Sequence, residues 1–335
     1  MYDMHKELNE FYDDHVRLKD ERKKLEEHRD LNIVRLKDGL QELKYPNAFE
    51  YKDQGSFAMK TINKHPLKTY DLDEAIIFRK DDLPSDPCDA RRRIEEAMIL
   101  AGGNFSTPPE AKTNAVRVSY AEGHHIDFAV YRKYVDVSGN KIIEHAGPQW
   151  TNRDPVGISN WFNSSVQSKS PSKIFGAQVD DNQLRRVVRW SKMFAKSRST
   201  WELPGGLVIS ALAVEQYVAN TYRDDSALYD TIVGIRNRLT GNKEINNPDE
   251  VNQSLTSRDK DKVRVKNLEE KLSFAIEKME PLFRSNCTRR DALQAWSEVF
   301  YHSYWSAKLD AEPKSAVVKK DGPITVRPLG PYWKK

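Results

Sequence analysis

The stretch YDLDEAIIF, residues 70–78, is the part of the sequence that most clearly indicates the fold and the chemistry of this chain. It is typical of a strand that begins with acids and continues as an apolar run. Because side chains alternate along a strand, Asp71 and Asp73 point to the same face. A second stretch of this kind, HHIDFAVY at 124–131, carries Asp127 ahead of its own apolar residues. We expect Asp127 to lie at the matching point of this later strand, beside the other two carboxylates.

Three carboxylates on one face repel one another unless a counter-charge is present. Mg²⁺ supplies such a charge and is commonly held by a few carboxylates together with substrate phosphates. Two such ions activate an attacking hydroxyl and stabilise the leaving oxygen in a displacement at phosphorus. We therefore predict Asp71, Asp73 and Asp127 as catalytic residues and metal ligands, with two Mg²⁺ per site and Mn²⁺ as a substitute. An aspartate of this kind, taken alone, is more often a solvated surface residue. The order of the motifs along the chain, and the apolar residues that follow Asp73 and Asp127, favour a metal site instead.

A Gly-Ser turn precedes the acidic strand, within FEYKDQGSFAMK at 49–60. We predict a strand, then this turn, then a helical turn. Such a turn presents backbone N–H groups and a hydroxyl to phosphate oxygens. Gln54, Gly55 and Ser56 are therefore predicted to contact phosphate oxygens. Lys60 follows closely and either contacts phosphate or lies in solvent.

The order of Gly-Ser, Asp-x-Asp and a later Asp resembles the DNA polymerase β-like nucleotidyltransferase superfamily. The segments QGSFAMKTIN, DLDEAIIF and HIDFAVYR more closely resemble those of the bacterial cyclic oligonucleotide synthases, the CD-NTases. These enzymes are similar to the cyclic GMP-AMP synthases and oligoadenylate synthases of animals. The resemblance covers residues 1 to about 310. It implies an α+β fold, in which a polymerase-β-like lobe with a mixed sheet and a long N-terminal spine helix packs on a helical, oligoadenylate-synthase-like lobe.

The resemblance implies that the phosphate oxygens at the Gly-Ser turn, residues 54–56, belong to a nucleotide. It also implies nucleotide-binding residues in the second lobe. In LRRVVRWSKMFAK, residues 184–196, Lys192 stands where the family places a lysine on the donor triphosphate, with Arg189 one turn earlier on the same face. The alternative for Lys192 is a solvated helix lysine. Where family members often carry serine, this chain has Gly205 and Gly206, which leaves only backbone contact with the phosphates.

Residues 148–162, PQWTNRDPVGISNWF, join the two halves of the chain. The family reads bases near such a connection, so Trp150 is a candidate for stacking on a base and Asn152 or Arg153 for hydrogen bonding to its edge. The competing interpretation is a tryptophan buried at the junction between lobes.

The chain is predicted to divide into a catalytic lobe at 1–155, a helical lobe at 156–311 and an extended tail at 312–335. Residues 4 to about 43 predict one long amphipathic helix, bent near Asn32. Strands are expected near 49–54, 70–78, 114–120 and 124–131. Further helices are expected near 88–101, 156–168, 181–198, 205–222, 225–239, 262–283 and 288–307.

Composition excludes several other classes of protein. No apolar run reaches the roughly 20 residues that cross a bilayer. Cys88 and Cys287 alone make neither a disulfide framework nor a zinc site, which favours a reducing cytoplasm. The net charge of +4 is small, and acids interleave the basic run at 258–266, so a nucleic-acid partner is not expected.

The resemblance implies that the enzyme joins ATP, with or without other NTPs, into a cyclic di- or trinucleotide and releases pyrophosphate. Its product would be a second messenger in bacterial anti-phage (CBASS) signalling and would act on a separate effector. The tail at 312–335 is a candidate site for a regulatory or conjugating partner. Two alternatives stay open: a linear or RNA-tail nucleotidyltransferase, which needs a broad basic RNA track, and a catalytically silent nucleotide-binding scaffold.

Overall fold

The structure, a computed structural model, describes residues 1–64, 70–102, 105, 107–172, 182–250 and 253–313. The α-helices within these ranges are α1 (His5–Phe11), α2 (Asp20–Glu42), α3 (Gly55–Ala58), α4 (Pro87–Ala101), α5 (Gly157–Lys169), α6 (Gln183–Ala195), α7 (Gly206–Gln216), α8 (Asp224–Gly241), α9 (Asp259–Met279), α10 (Arg289–Phe300) and α11 (Ser303–Ala311). A π-helical turn spans Tyr12–Val16, and 3₁₀ turns span Lys80–Asp82 and Glu280–Phe283.

The strands form one mixed sheet in the first half of the chain. They are β1 (Glu50–Gln54), β2 (Asp71–Arg79), β3 (Glu110–Ala111), β4 (Val116–Ser119), β5 (His125–Val135), β6 (Lys141–Ala146) and β7 (Trp150–Asn152). The order is β1-β2-β5-β4-β3, and β6 pairs with both β5 and β7. Only the β2–β5 pairing is parallel among these. The predicted α+β class, a mixed sheet with helices, is confirmed.

The two faces of β2 have different roles because its side chains alternate. Leu72, Ile76 and Phe78 are buried in a core shared with α2 and α4. The opposite face carries Asp71 and Asp73 and then continues into a small apolar cluster formed by Ala75, Ile77 and Tyr131. The apolar run therefore fixes the strand in the sheet and leaves the two acids at its open end.

The prediction of one helix from residue 4 to 43 is wrong. α1 ends at Phe11, the π-helical turn follows, and α2 begins only at Asp20. The apolar residues before the break pack into the core of the helical lobe, whereas Leu25 and Leu36 of α2 pack under the sheet. One straight helix cannot place its apolar side chains in both cores. The helix is therefore interrupted where the chain passes from one lobe to the other.

The bend predicted near Asn32 is absent. Asn32 lies inside the continuous helix α2, is buried, and donates from Nδ2 to the Tyr120 hydroxyl at 2.6 Å. The buried Asn32 amide thus has a hydrogen-bond partner in the connection between β4 and β5, and α2 continues through this position.

The helical lobe contains one helix break that the sequence pattern did not predict. The expected helix at 288–307 divides into α10 and α11 at Tyr301, which adopts the left-handed conformation with φ 48°. The His302 side chain then accepts a hydrogen bond from the Tyr304 backbone N–H and begins α11. The strands β3, β6 and β7 were also not predicted. β3 and β7 have two and three residues, and β6 (KIIEHA) lacks a regular alternation of apolar and polar residues.

The first residues of the chain pack into the hydrophobic core of the second lobe. Met4, Leu8 and Phe11 are fully buried with the side chains of α6 to α11. The predicted boundary at residue 155 stays a prediction. The tail lies outside the described residues from 314 onward. In the ranges given above, none of the helices combines the length and the apolar character that crossing a membrane requires.

Candidate active site

The three predicted aspartates lie on adjacent parallel strands at one edge of the sheet. Asp73 of β2 and Asp127 of β5 are direct partners in the register, and Asp71 pairs with His125. Asp71, Asp73 and Asp127 therefore share one face, two of them side by side across the strands. The structure brings together the residues that the two sequence stretches placed far apart.

The electrostatics of the trio centre on Asp73. Burial raises the pKa of Asp73 to about 6, and the neighbouring charges of Asp127 and Asp71 add to this effect. Arg117 and Arg153 act in the opposite direction. A carboxyl with this raised pKa lacks a sufficient counter-charge, which is the electrostatic condition that a bound cation relieves.

Arg117 of β4 holds Asp127 through a bidentate ion pair. Its Nε donates to Oδ1 at 2.8 Å and its second terminal nitrogen donates to Oδ2 at 2.7 Å. Arg117 is also the register partner of Asp127 across the β4–β5 hairpin. The motif search in the sequence missed this residue, although counting outward from the Ala121–Gly123 turn pairs position 117 with 127.

The Gly-Ser turn lies against the acidic strand and requires its glycine. Gly55 has φ +56°, and a Cβ there would lie 2.3 Å from Oδ2 of Asp73. Gln54 anchors the turn by donating to the Tyr131 hydroxyl at 2.9 Å and to the Pro155 carbonyl at 2.8 Å. The helical turn α3 begins at Gly55 and places Ser56 in the same cleft wall as the aspartates.

Lys192 of α6 reaches the same cleft from the helical lobe. It is buried, and its Nζ lies 2.7 Å from Oγ1 of Thr61. Burial lowers the pKa of Lys192 to about 7, and the charges of Lys196 and Arg189 lower it further. Gly206 leaves room for this side chain, since a Cβ at 206 would lie 3.1 Å from Cε of Lys192.

The aspartates, the turn and Lys192 all line one cleft of about 870 Å³. Most of the predicted site residues contribute to its wall, namely Gln54, Gly55, Ser56, Asp71, Asp73, Asp127, Lys192, Gly205 and Gly206. Sequence reasoning missed other members of the wall, among them Thr61, Asn114, Tyr131, Arg198 and Trp201. Binding sites for small molecules enclose roughly 300–1,000 Å³, so this cleft lies in the upper part of that range.

Two residues predicted to read a base do not line the cleft. Trp150 donates from its indole nitrogen to the Ser85 carbonyl at 2.7 Å, and the Arg132 guanidinium lies 4.1 Å from its ring centre. Asn152 is exposed on the edge strand β7. Pairing of β7 with β6 turns both side chains away from the aspartates, whereas Arg153, the next residue, does line the cleft.

Lys60 and Arg189, also predicted to bind nucleotide, lie outside the cleft wall. Lys60 is exposed. Arg189 is buried and donates to the Lys60 carbonyl at 2.9 Å and to the Tyr12 hydroxyl at 2.8 Å. The guanidinium is thus directed at the backbone behind the Gly-Ser turn, not at the cleft.

The donor chemistry of the trio fits a hard divalent cation. Carboxylate oxygens are the ligands that Mg²⁺ prefers, and both burial and the neighbouring carboxylates Asp127 and Asp71 raise the pKa of Asp73. Within the described ranges, no three acidic, histidine or cysteine side chains form a ready-made metal cluster. Arg117 donates one hydrogen bond to each oxygen of Asp127, which leaves further lone pairs for a metal ion but places a positive charge beside it.

The comparison with protein families identifies the sheet lobe. Residues 49–131 match the family described as "Cyclic GMP-AMP synthase DncV-like, nucleotidyltransferase domain". The matched segment contains the Gly-Ser turn and all three aspartates. The resemblance inferred from the sequence motifs is confirmed by this match.

Solved structures of bacterial synthases share the fold over both lobes. DncV of Vibrio cholerae, a cyclic AMP-GMP synthase crystallised with the linear intermediate 5′ pppA(3′,5′)pG, superposes with a TM-score of 0.69 at 18% identity, covering 92% of this chain and 99% of that chain. CdnC of E. coli MS115-1 with ATP gives 0.66 at 14% identity, with 90% and 98% covered. The CD-NTase CdnG of Bradyrhizobium diazoefficiens with GTP gives 0.64 at 15% identity, with 89% and 95% covered. At these identities the likeness establishes the fold.

Proposed function

We propose, from the premise that residues 49–131 form a DncV-like nucleotidyltransferase domain, that this chain joins NTPs into a cyclic di- or trinucleotide. The observation that carries the proposal is the shared face of Asp71, Asp73 and Asp127 beside the Gly-Ser turn, in one cleft with Lys192. This arrangement combines carboxylates, a hydroxyl and a cation around a space suited to a triphosphate.

The donor NTP is held from both lobes. Ser56 offers its hydroxyl, Lys192 its ammonium group, and Gly205 and Gly206 their backbone N–H groups to phosphate oxygens. Burial of Lys192 removes water from its ammonium group and lowers its pKa to about 7. A triphosphate would restore the favourable environment of that charge, which makes binding specific for an anion at this position.

The transfer step uses Asp127 as the proton acceptor. Two Mg²⁺ held by the three aspartates would neutralise the triphosphate and the departing pyrophosphate. Asp127 accepts the proton of the acceptor ribose hydroxyl. The hydroxyl oxygen then bonds to the α-phosphorus, the bond from that phosphorus to the bridging oxygen breaks, and pyrophosphate leaves. Asp71 and Asp73 would hold the metal ions, which in turn would bind the reacting phosphate and the departing pyrophosphate.

Repetition of the step on the linear product closes a ring. The cleft of about 870 Å³ suits a site that holds a donor and an acceptor together. DncV has been crystallised with a linear intermediate, CdnC with ATP and CdnG with GTP. By analogy we propose ATP as one substrate, with or without a second NTP.

The biological setting follows from the same analogy. We propose a cytoplasmic enzyme whose cyclic product is a second messenger in bacterial anti-phage (CBASS) signalling and acts on a separate effector. CdnC has been solved in a complex with HORMA-deltaN, which supports a regulatory protein partner for this chain as well. The tail from 314 onward, outside the described residues, is proposed as the attachment point of such a partner.

The test is incubation with four labelled NTPs and Mg²⁺ or Mn²⁺, followed by phosphatase treatment and mass spectrometry. We expect a phosphatase-resistant product from the wild type that is lost in Asp73→Asn and retained in Asp81→Asn, an exposed carboxylate beyond the end of β2. A phosphatase-sensitive chain would indicate a linear nucleotidyltransferase. Binding of NTP without turnover, under either metal, would indicate a silent scaffold.

A further inference from the structure

The segment 59–64, which we call the strap, follows the Gly-Ser turn and is hydrogen-bonded to one face of α6. Arg185 donates from Nε to the Met59 carbonyl at 3.2 Å, and Arg189 donates from Nε to the Lys60 carbonyl at 2.9 Å. Lys192 donates to the Thr61 hydroxyl at 2.7 Å. The three side chains are spaced at i, i+4 and i+7, so one helix face binds three consecutive residues of the strap.

The strap contains a strained residue at its centre. Lys60 has φ +53°, in the left-handed region that non-glycine residues rarely adopt. Such a residue persists only when the surrounding structure holds it in place. The Lys60 side chain is exposed and supplies no such hold. The backbone N–H of Lys60 donates to the Phe57 carbonyl at 2.9 Å, as at many helix ends, and the Lys60 carbonyl oxygen accepts the hydrogen bond from Arg189.

The strained residue lies between two groups proposed to bind the triphosphate. The Thr61 backbone N–H donates to the Ser56 carbonyl at 2.8 Å, which closes the chain back onto the Gly-Ser turn. The Thr61 hydroxyl positions Lys192. A relaxation of the backbone at Lys60 would therefore displace Ser56 and Lys192 relative to each other.

Arg189 is itself fixed from the other side. It is buried, and the hydroxyl of the fully buried Tyr12 accepts a hydrogen bond from it at 2.8 Å. The Asn63 amide also donates to the Arg189 carbonyl at 2.7 Å. The guanidinium is thus a rigid group of the helical lobe that contacts the strap at the one residue with a left-handed backbone.

We propose that Arg189 is a positioning residue that holds Lys60 in its left-handed conformation and thereby sets Ser56 and Lys192 at the spacing that a donor triphosphate requires. This inference rests on the proposed function. It replaces the expectation from the sequence that Arg189 contacts the nucleotide itself.

The experiment measures binding of a non-hydrolysable ATP analogue with Mg²⁺ by calorimetry, and melting of each variant by circular dichroism. Arg189→Ala should weaken binding about tenfold, the factor that corresponds to the strain of one left-handed residue. Arg290→Ala is the matched control, because Arg290 also donates to two backbone carbonyls of the helical lobe, Leu309 and Glu312, away from the cleft. It should bind the analogue like the wild type.

Substitutions at position 60 separate backbone strain from a general loss of stability. Lys60→Gly and Lys60→Val both remove the amine, but glycine accepts the left-handed conformation and valine does not. Lys60→Val should bind the analogue about tenfold more weakly than Lys60→Gly. In the Lys60→Gly background, Arg189→Ala should cost less than about threefold. Because Lys60 is exposed, this pair tests the idea even if Arg189→Ala fails to fold.

Equal affinity of Lys60→Gly and Lys60→Val overturns the inference, as does an undiminished effect of Arg189→Ala in the glycine background. In both cases a wild type that binds the analogue leaves the proposed function intact. A folded wild type that binds no NTP with any divalent metal overturns the proposed function and this inference with it.

Discussion

Arg117 and Asp127 form a bidentate ion pair across the β4–β5 hairpin, with N–O distances of 2.8 and 2.7 Å. The pair satisfies the third carboxylate of the candidate site with a protein cation. A metal ion that binds the trio therefore competes with Arg117 for Asp127. The strength of this competition is measurable without catalysis.

Replacement of Arg117 by Gln is expected to tighten Mn²⁺ binding in the absence of nucleotide by about five- to tenfold. The change removes a competing partner and a positive charge close to the incoming ion, an effect on the order of 1 kcal/mol for a partly exposed pair. Electron paramagnetic resonance of free Mn²⁺ provides the titration. Arg132→Gln serves as control, since Arg132 pairs with Glu144 farther along β5. Unchanged or weaker binding in Arg117→Gln would show that the pair does not compete with the metal.

Gly55→Ala is expected to reduce nucleotidyl transfer by at least about a hundredfold while the protein stays folded. The methyl group would meet Oδ2 of Asp73 at 2.3 Å, and the backbone would also be strained at φ +56°. Gly139→Ala is the matched control, because Gly139 has φ +85° but no neighbouring atom within 4 Å. Initial rates of pyrophosphate release give the comparison. A rate of Gly55→Ala close to that of Gly139→Ala would show that the clash with Asp73 does not limit the enzyme.

Lys192→Met is expected to have opposite effects on stability and on binding. Burial holds the pKa of Lys192 at about 7, below its ordinary 10.5, so removing the cation should raise the melting temperature of the nucleotide-free protein near pH 7. The same change should weaken ATP binding by about tenfold or more, since charge-assisted hydrogen bonds contribute roughly 1.5–3 kcal/mol. Lys262→Met, at an exposed lysine of α9, should change neither quantity. ATP affinity equal to that of the wild type would remove Lys192 from the triphosphate site.

Glu74→Gln is expected to stabilise the nucleotide-free protein increasingly as pH rises from about 5 to 8. Burial raises the pKa of Glu74 to about 8, and the charge and hydrogen bond of Asp53 add to the shift. Between the unfolded value of 4.5 and about 8, the unfolded chain releases this proton and the folded protein keeps it, so the wild type loses stability across that range and the loss is complete above pH 8. The variant should therefore melt like the wild type near pH 5 and at least about 3 °C higher at pH 9. A difference that is constant from pH 5 to 9 would contradict this assignment.

Several features followed from local sequence alone. Alternation along YDLDEAIIF set Asp71 and Asp73 on one face, and the structure has them there. The Gly-Ser turn between a strand and a helical turn was predicted for the same reason, because a positive φ at Gly55 is a local property of the chain. The long N-terminal helix is present as α2, but its predicted continuity from residue 4 was wrong, since the break depends on which lobe each half packs against.

What the sequence by itself determined is thus the set of candidate aspartates, the turn before them and the family that residues 49–131 match. Only the tertiary structure decided which groups meet them. The register that places Asp73 beside Asp127 depends on a parallel pairing, which no local turn specifies. Lys192 meets Thr61 across 131 residues, and Arg189 meets Lys60 across 129. These contacts arise from how the two lobes pack, and a helix pattern shows only that such side chains share a face.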